Sequence, residues 1–387
     1  MIVFRSYIAA RAQLVTFILF VLTILFIEKF LETKKIKYGI MLIIIPIIIA
    51  NIHLAVWPFY FILFLPYIGE YLISMFYKKW INKDGINQNQ KLILQKNDNT
   101  KWLILIAIIA MLTGFLTPLG TTPYTYLIKT MQGTTTQSIS EHTPLILFNK
   151  KELMILIGVF ITFFSFIKVK IKLCDLFMIC GLTILAIASN RQVSMLLLVG
   201  AIIFAKLINN LINYYLNNDW EEKALSLLNN KLIYCLIILV VVLSGILLYI
   251  GQINDKFINE KSYPVQASKW IKENLDIENI KLFNEYNYGS YLLYQDIPVF
   301  IDSRADLYAP EFNGKKDENG KLVGRNIFDD FINISSITTY YQTKFDEYGI
   351  THVILQRNTK LNILLSHDEK YNQLYVDENF VIYEIEK

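Results

Sequence analysis

The chain has 387 residues, 54% of them apolar and only 18% charged, with a mean hydropathy of +0.39. Its net charge of +4 conceals a division: residues 1–253 carry 22 Lys and Arg against 11 Asp and Glu, whereas 254–387 carry 15 against 22. This excludes a single soluble domain, a disordered chain and a nucleic-acid binder. It predicts an α-helical polytopic membrane domain over 1–253 and a small extracytoplasmic α/β domain over 254–387, large enough to bury its own core.

Apolar runs long enough to cross a bilayer lie at 13–31, 38–53, 55–77, 102–119, 152–169, 173–189, 193–212 and 232–252, which makes about eight spans. The second and third are interrupted by Pro46, Pro58 and Pro66 and separated by the hinge Asn51-Ile52-His53. A polar hinge at membrane depth survives where protein or a water-filled cavity satisfies its backbone, so this hinge is expected to line a cavity. The first run ends in Ile27-Glu28-Lys29-Phe30 with no small-residue cleavage site, so no cleavable signal peptide is expected.

One set of loops holds fourteen Lys, from Lys34 to Lys231, and the opposite set only Arg5, Arg11, Lys129, Lys150, Lys151 and Arg191. The richer set belongs in the cytoplasm, which places the C-terminal domain outside a bacterial plasma membrane. With an even number of spans the N-terminus would also lie outside, carrying Arg5 and Arg11 across. The expectation is therefore that this chain is the C-terminal part of a longer polytopic protein; the alternative is that two short spans form one re-entrant unit.

Beyond residue 253, Ser262-Tyr263-Pro264 opens a predicted helix reaching about Leu275. Strands are expected at Ile280–Phe283, Val299–Asp302, His352–Gln356, Gln373–Val376 and Phe380–Ile385, with helices near Ser290–Tyr294 and Ile337–Tyr348 and a surface loop over Asn313–Arg325. The alternation predicts a partly parallel sheet flanked by helices and closed by an antiparallel pair. Cys174, Cys180 and Cys235 all lie in or beside apolar runs, which excludes a disulfide or zinc site from this domain.

The residues that could carry chemistry fall in two groups. In Phe300-Ile301-Asp302-Ser303-Arg304-Ala305-Asp306 an apolar strand enters a charged turn. Asp302 and Asp306 could hold a divalent cation or a pair of sugar hydroxyls, and Arg304 a phosphate; the alternative is a local salt bridge shaping the turn. Tyr286, with Asn284, Asn287 and Tyr288 around it, offers phenols and amides suited to sugars or simply to packing a turn. In the membrane part, Asn51, His53, Glu141, His142 and Arg191 all face outside by the topology above and could line one outward cavity; His53 alone reads rather as a structural interfacial histidine, and Arg191 either anchors a short loop at the headgroups or binds a lipid phosphate or diphosphate. No P-loop, GxGxxG, HExxH or GxSxG occurs.

Taken in order, Arg11-Ala12-Gln13, Ala50-Asn51-Ile52-His53, Thr117-Pro118-Leu119-Gly120, Glu141-His142-Thr143-Pro144, Asn190-Arg191, Tyr286-Asn287-Tyr288-Gly289 and Phe300-Ile301-Asp302-Ser303-Arg304 resemble the motif series of bacterial GT-C-type polytopic membrane glycosyltransferases. His53 is followed by Leu54-Ala55 where that group has Gly-Gly, and Thr117 replaces Asn. The resemblance implies a polyprenyl-phosphate-linked sugar donor used on the outer face for envelope glycan assembly, with a glycan or protein acceptor. Glu141 would line the catalytic site or assist a metal. It also implies an acidic catalytic motif in a first outer loop, which this sequence does not contain. The competing reading is a non-catalytic membrane protein whose outer domain binds glycan or a partner protein. A secondary transporter fits less well, for lack of a visible inverted repeat.

Overall fold

A computed structural model of the chain describes residues 12–81, 92–132, 171–216, 230–253, 258–316 and 322–386, with a few isolated residues between them. The protein is mostly helical with a few small sheets. It divides into two compact units, Met1–Ile128 with Ile139–Asn229, and Lys129–Ser138 with Asn230–Lys387.

In the first unit α1 (Gln13–Thr33), α2 (Ile36–Ile52), α3 (Trp57–Ile62), α4 (Leu65–Ile81), α5 (Thr100–Leu112), α6 (Thr122–Gln132), α7 (Leu173–Ala188) and α8 (Val193–Leu216) follow in order, although α6 continues into the second unit. Among the described residues, Gln13–Thr33, Leu54–Phe76 and Asn190–Ile212 are long and apolar enough to cross a membrane, and four shorter apolar helices accompany them. Most of the expected span at 152–169 lies outside the described residues. The bundle is packed around Phe20, Ile27, Leu42, Tyr60 and Leu103, while Ile18, Phe76 and Ile184 stay exposed. Apolar side chains turned outward from an apolar core are the arrangement a lipid solvent rewards.

Two local devices shape this unit. Pro46 has no N–H to give to the carbonyl of Leu42 one turn earlier; the phenol of the fully buried Tyr60 donates to that carbonyl instead, at 2.5 Å. The helix therefore runs through its proline. At the C-terminus of α1, Lys34 adopts a left-handed conformation, and the side-chain amides of Asn97 and Asn99 both donate to the carbonyl of Leu31, at 3.0 and 2.9 Å. These bonds satisfy part of the helix's open carbonyl end. Beside them, β1 (Leu92–Ile93) pairs in parallel with β2 (Ile171–Lys172).

The second unit contains α9 (Lys231–Ile253), whose apolar residues are exposed on nearly every side from Leu232 to Leu247. It then forms α10 (Val265–Asn274), β3 (Leu282–Phe283), α11 (Tyr286–Tyr294), a two-residue hairpin of β4 (Lys315–Lys316) and β5 (Leu322–Val323), β6 (His352–Gln356), β7 (Tyr371–Val376) and β8 (Phe380–Ile385). The four-stranded sheet has the order β3-β6-β8-β7: β3 and β6 are parallel, and β8 is antiparallel to both its neighbours. Its core joins Ile271, Leu282, Tyr288, Leu292, Ile354 and Ile382. Further helices lie at Ile327–Ser336, Tyr341–Tyr348 and Lys360–Leu365.

One expected strand is absent. Residues 299–302 bend at Phe300 and enter no ladder; the backbone of Phe300 and Ile301 is bonded by the side chain of Asn284 and not by another strand. The helix expected at Ser290–Tyr294 starts earlier, at Tyr286, directly after β3. The stretch Asn313–Arg325, expected as a loop, contains the small β4–β5 hairpin.

Candidate functional site

In the first unit, α2 ends at Ile52 and the chain turns at His53 into a short 3-10 turn, Leu54–Val56, before α3. A second 3-10 turn, Asn190–Gln192, joins α7 to α8 and carries Arg191. These two turns meet. The Nη2 of Arg191 lies 3.4 Å from Nε2 of His53, and Nδ1 of His53 lies 3.0 Å from Oγ1 of Thr16 on α1. Around them Gln13, Thr16, Val56, Phe59, Gln192 and Ser194 help enclose a cavity of about 20 Å³, enough for one water.

The electrostatics of this cavity are one-sided. No carboxylate among the described residues lies within ion-pair distance of Arg191 or His53, and both are only partly buried. A guanidinium bonds oxyanions strongly and bidentately, and the described lining of this cavity offers Arg191 no carboxylate.

The other sequence-predicted residues of this unit go elsewhere. Asn51 is exposed, and its amide donates to the carbonyls of Ile47, at 2.8 Å, and Leu116, at 3.0 Å. It thus ties the end of α2 to the segment entering Thr117-Pro118 and does not line the cavity of His53. Glu141 and His142 lie outside the described residues.

A second polar cluster lies farther along the same helices and was not picked out by the sequence. Lys206 on α8 bonds Glu28 on α1 at 2.6 Å and approaches Asp175 on α7 at 3.8 Å. Tyr67 and Cys174 line the small cavity beside them. The signal was present, since Glu28, Asp175 and Lys206 each interrupt an apolar run, and charges in such runs are rarely idle.

In the second unit the two predicted motifs do meet. Asn284, fully buried, donates from Nδ2 to the carbonyl of Ile301 at 2.7 Å and accepts from the N–H of Phe300 at 2.8 Å. Gly289 is required at the crossing, because a Cβ there would lie 2.0 Å from the Ile301 carbonyl oxygen. The Tyr286 hydroxyl donates to the carbonyl of Ser303 at 2.9 Å, and the hydroxyls of Ser290 and Ser303 are 2.6 Å apart.

Within this turn Asp302 is fully buried, and Arg304 binds it through Nε, at 3.0 and 3.1 Å, through Nη2, and through its backbone N–H at 2.8 Å. Burial opposes ionisation of Asp302, but the Arg304 side chain and backbone N–H outweigh it and hold the carboxyl below the usual carboxylate range. Both of its oxygens are taken, so the expected role of Asp302 with Asp306 as a cation pair gives way to an internal salt bridge. Asp306, half-buried, sits on the following 3-10 turn, Ala305–Tyr308. Among the described residues no group of three or more His, Cys, Asp or Glu side chains is placed to hold a metal ion. Arg304 keeps more than half of its side chain exposed.

Glu285, between Asn284 and Tyr286, is the residue the sequence reading passed over here. Burial pushes its carboxyl up to about 7, and no hydrogen bond or ion pair offsets that burial among the described residues.

Comparison of the sequence with models of known protein families and with characterised proteins finds no match.

Proposed function

We propose that the chain is part of a GT-C-like integral membrane glycosyltransferase that draws on a polyprenyl-phosphate-linked sugar at the outer face of a bacterial plasma membrane. The observation that carries this reading is the meeting of His53 with Arg191, two positions of the resemblance 138 residues apart, in a cavity whose described lining holds no carboxylate. A cationic, partly enclosed site at the joined ends of apolar helices suits the phosphate of a membrane lipid, whose tail would remain among the helices.

In this reading about eight spans cross the bilayer and the α/β unit stands outside. Arg191 and His53 steady the phosphate as it leaves the sugar, and the role proposed for Glu141, which lies outside the described residues, is to line the site or assist a metal. The acceptor hydroxyl, on a glycan or protein, requires a general base. The bonded surface of Tyr286, Ser290, Ser303 and Arg304 would present hydroxyls and one guanidinium to a glycan.

The test is transfer of labelled sugar from a panel of polyprenyl-phosphate sugars by membranes containing the native protein, with Arg191→Ala and Glu141→Gln alongside. Transfer that falls at least tenfold in both variants supports the reading. Glycan retention by the native protein without turnover of any donor would replace it with the binding reading.

A further inference from the structure

We propose that the His53–Arg191 site takes up its oxyanion together with one proton, His53 changing from an acceptor for Arg191 into a second donor to the anion. The inference rests on the phosphate reading of this site and adds the protonation chemistry to it.

The hydrogen bonds assign the tautomer. A guanidinium only donates, so Nε2 of His53, facing Nη2 of Arg191 at 3.4 Å, must present its lone pair. A neutral imidazole then carries its proton on Nδ1, which points at Oγ1 of Thr16 at 3.0 Å. Thr16 in turn has its own carbonyl to serve, that of Ala12, at 3.2 Å. One direction runs through the whole chain: Arg191 to His53, His53 to Thr16, Thr16 to Ala12. Each donor has an acceptor only while His53 is neutral with Nε2 bare.

The weakest link is the first. At 3.4 Å it is long for a nitrogen donor, and a charge-assisted bond to an oxyanion is stronger. An anion that placed one oxygen in this one-water cavity would take the Arg191 donor and bring that negative oxygen against the bare Nε2 lone pair, an arrangement that is repulsive until Nε2 gains a proton from solvent. With that proton, two donors of positive charge face one anion. The bond made is Nε2–H and the bond broken is an O–H of hydronium or of the buffer acid, so the balance is one anion and one proton bound.

The surroundings make the two events depend on each other. The described groups lining this cavity are Gln13, Thr16, Phe17 and Phe20 from α1, Val56 and Phe59 from the turn and α3, Arg191 and Gln192 from the second turn, and Ser194 and Met195 from α8. Arg191 is their only charged member, and it has the same sign as an imidazolium. Protonation without an anion therefore sets two cations against each other, and linkage requires that the anion favour the proton as much as the proton favours the anion.

The experiment uses the full chain in lipid nanodiscs and two oxyanions that keep a constant charge between pH 5 and 8. Dihexyl phosphate represents a lipid-borne phosphodiester, and sulfate represents a free oxyanion. Calorimetry in buffers of different ionisation heat counts protons taken up per anion. In the window where coupling is complete, affinity should rise about tenfold for each unit fall in pH. In parallel, nitrogen NMR of histidine-labelled protein follows His53; the chain has only four histidines, and His53→Gln assigns the signal.

The expected result is a neutral, Nδ1-protonated His53 in the free protein, uptake of close to one proton with the anion, and no uptake in His53→Gln. Preference for dihexyl phosphate identifies a lipid source and equal binding of sulfate a free one. Either result supports the coupling provided the proton is taken up. Binding without proton uptake, or a free-state His53 protonated on Nε2, would overturn the inference and leave the phosphate reading standing. Failure of both oxyanions to bind at any pH would overturn both.

Discussion

Lys206 and Glu28 form a 2.6 Å ion pair across 178 residues of sequence, with Asp175 3.8 Å from the same ammonium. One cation thereby holds three helices, and two carboxylates share it. Replacing Lys206 by Met leaves those carboxylates facing each other without a counter-charge, whereas Glu28→Gln leaves Lys206 with Asp175. Lys206→Met should therefore lower the melting temperature more than Glu28→Gln. The pair is partly exposed, so a loss of about 1 kcal/mol is expected. Thermal unfolding of purified protein in one detergent compares the two.

Gly289 is predicted to tolerate no side chain. A Cβ 2.0 Å from the Ile301 carbonyl oxygen cannot be relieved by a rotamer change, since the obstacle is backbone. Gly289→Ala should cost about 3 kcal/mol. Asn284→Ala should cost a similar amount, because it leaves the Phe300 N–H and the Ile301 carbonyl without their bonds. Tyr286→Phe, which removes a single bond to the Ser303 carbonyl, should cost only about 1 kcal/mol. Circular dichroism melts of the full chain give the order.

Acid should act on Asp302. Its carboxyl is held below the ordinary range when folded, so its contribution is present above the unfolded value of about 3.9 and disappears as pH falls through the folded value. Arg304→Gln removes the cation while the carboxyl stays buried. That variant should lose about 2 kcal/mol at pH 7, and its deficit against the native chain should shrink as acid protonates the unpaired, buried carboxyl. An acid titration followed by near-ultraviolet circular dichroism reads both effects.

Glu285 has the opposite sign. Its folded carboxyl titrates near 7, above the unfolded value of about 4.3, so the folded state holds a proton that the unfolded state has released. Stability linked to this group is complete below about pH 4.3 and declines as pH rises toward 7. Glu285→Gln should abolish that decline and raise stability at pH 8 by up to about 3 kcal/mol. A native chain whose stability is flat between pH 4.5 and 7.5 would contradict this assignment.

What the sequence made legible was set by periodicity and by charge. The helices at 13–33, 173–188 and 193–216 follow from long apolar runs with few charges in them, and β6 and β8 from short apolar, β-branched runs bounded by polar residues. The meeting of His53 with Arg191 was anticipated because both are polar breaks at helix ends on the same predicted side. The role of Asn51 was not, because an amide bonding a backbone carbonyl 65 positions away leaves no local pattern. Residues 299–302 read as a strand because a short apolar run looks the same whether a ladder or one amide satisfies it. Thr16 and Tyr60 leave no local pattern for a related reason: each meets a distant partner created only by packing, His53 for Thr16 and the Leu42 carbonyl for Tyr60, which stands in for a donor that Pro46 lacks.

The His53–Arg191 contact also bears on how the protein is made. Synthesis delivers His53 well before Arg191, so α1 to α3 must wait through 138 residues of further elongation with the imidazole still without its guanidinium. On the proposed reading, ligand capture would then be a late event of biogenesis, open only once the turn between α7 and α8 is in place. Any product arrested earlier would keep much of its lipid-facing bulk and lack the assembled pocket.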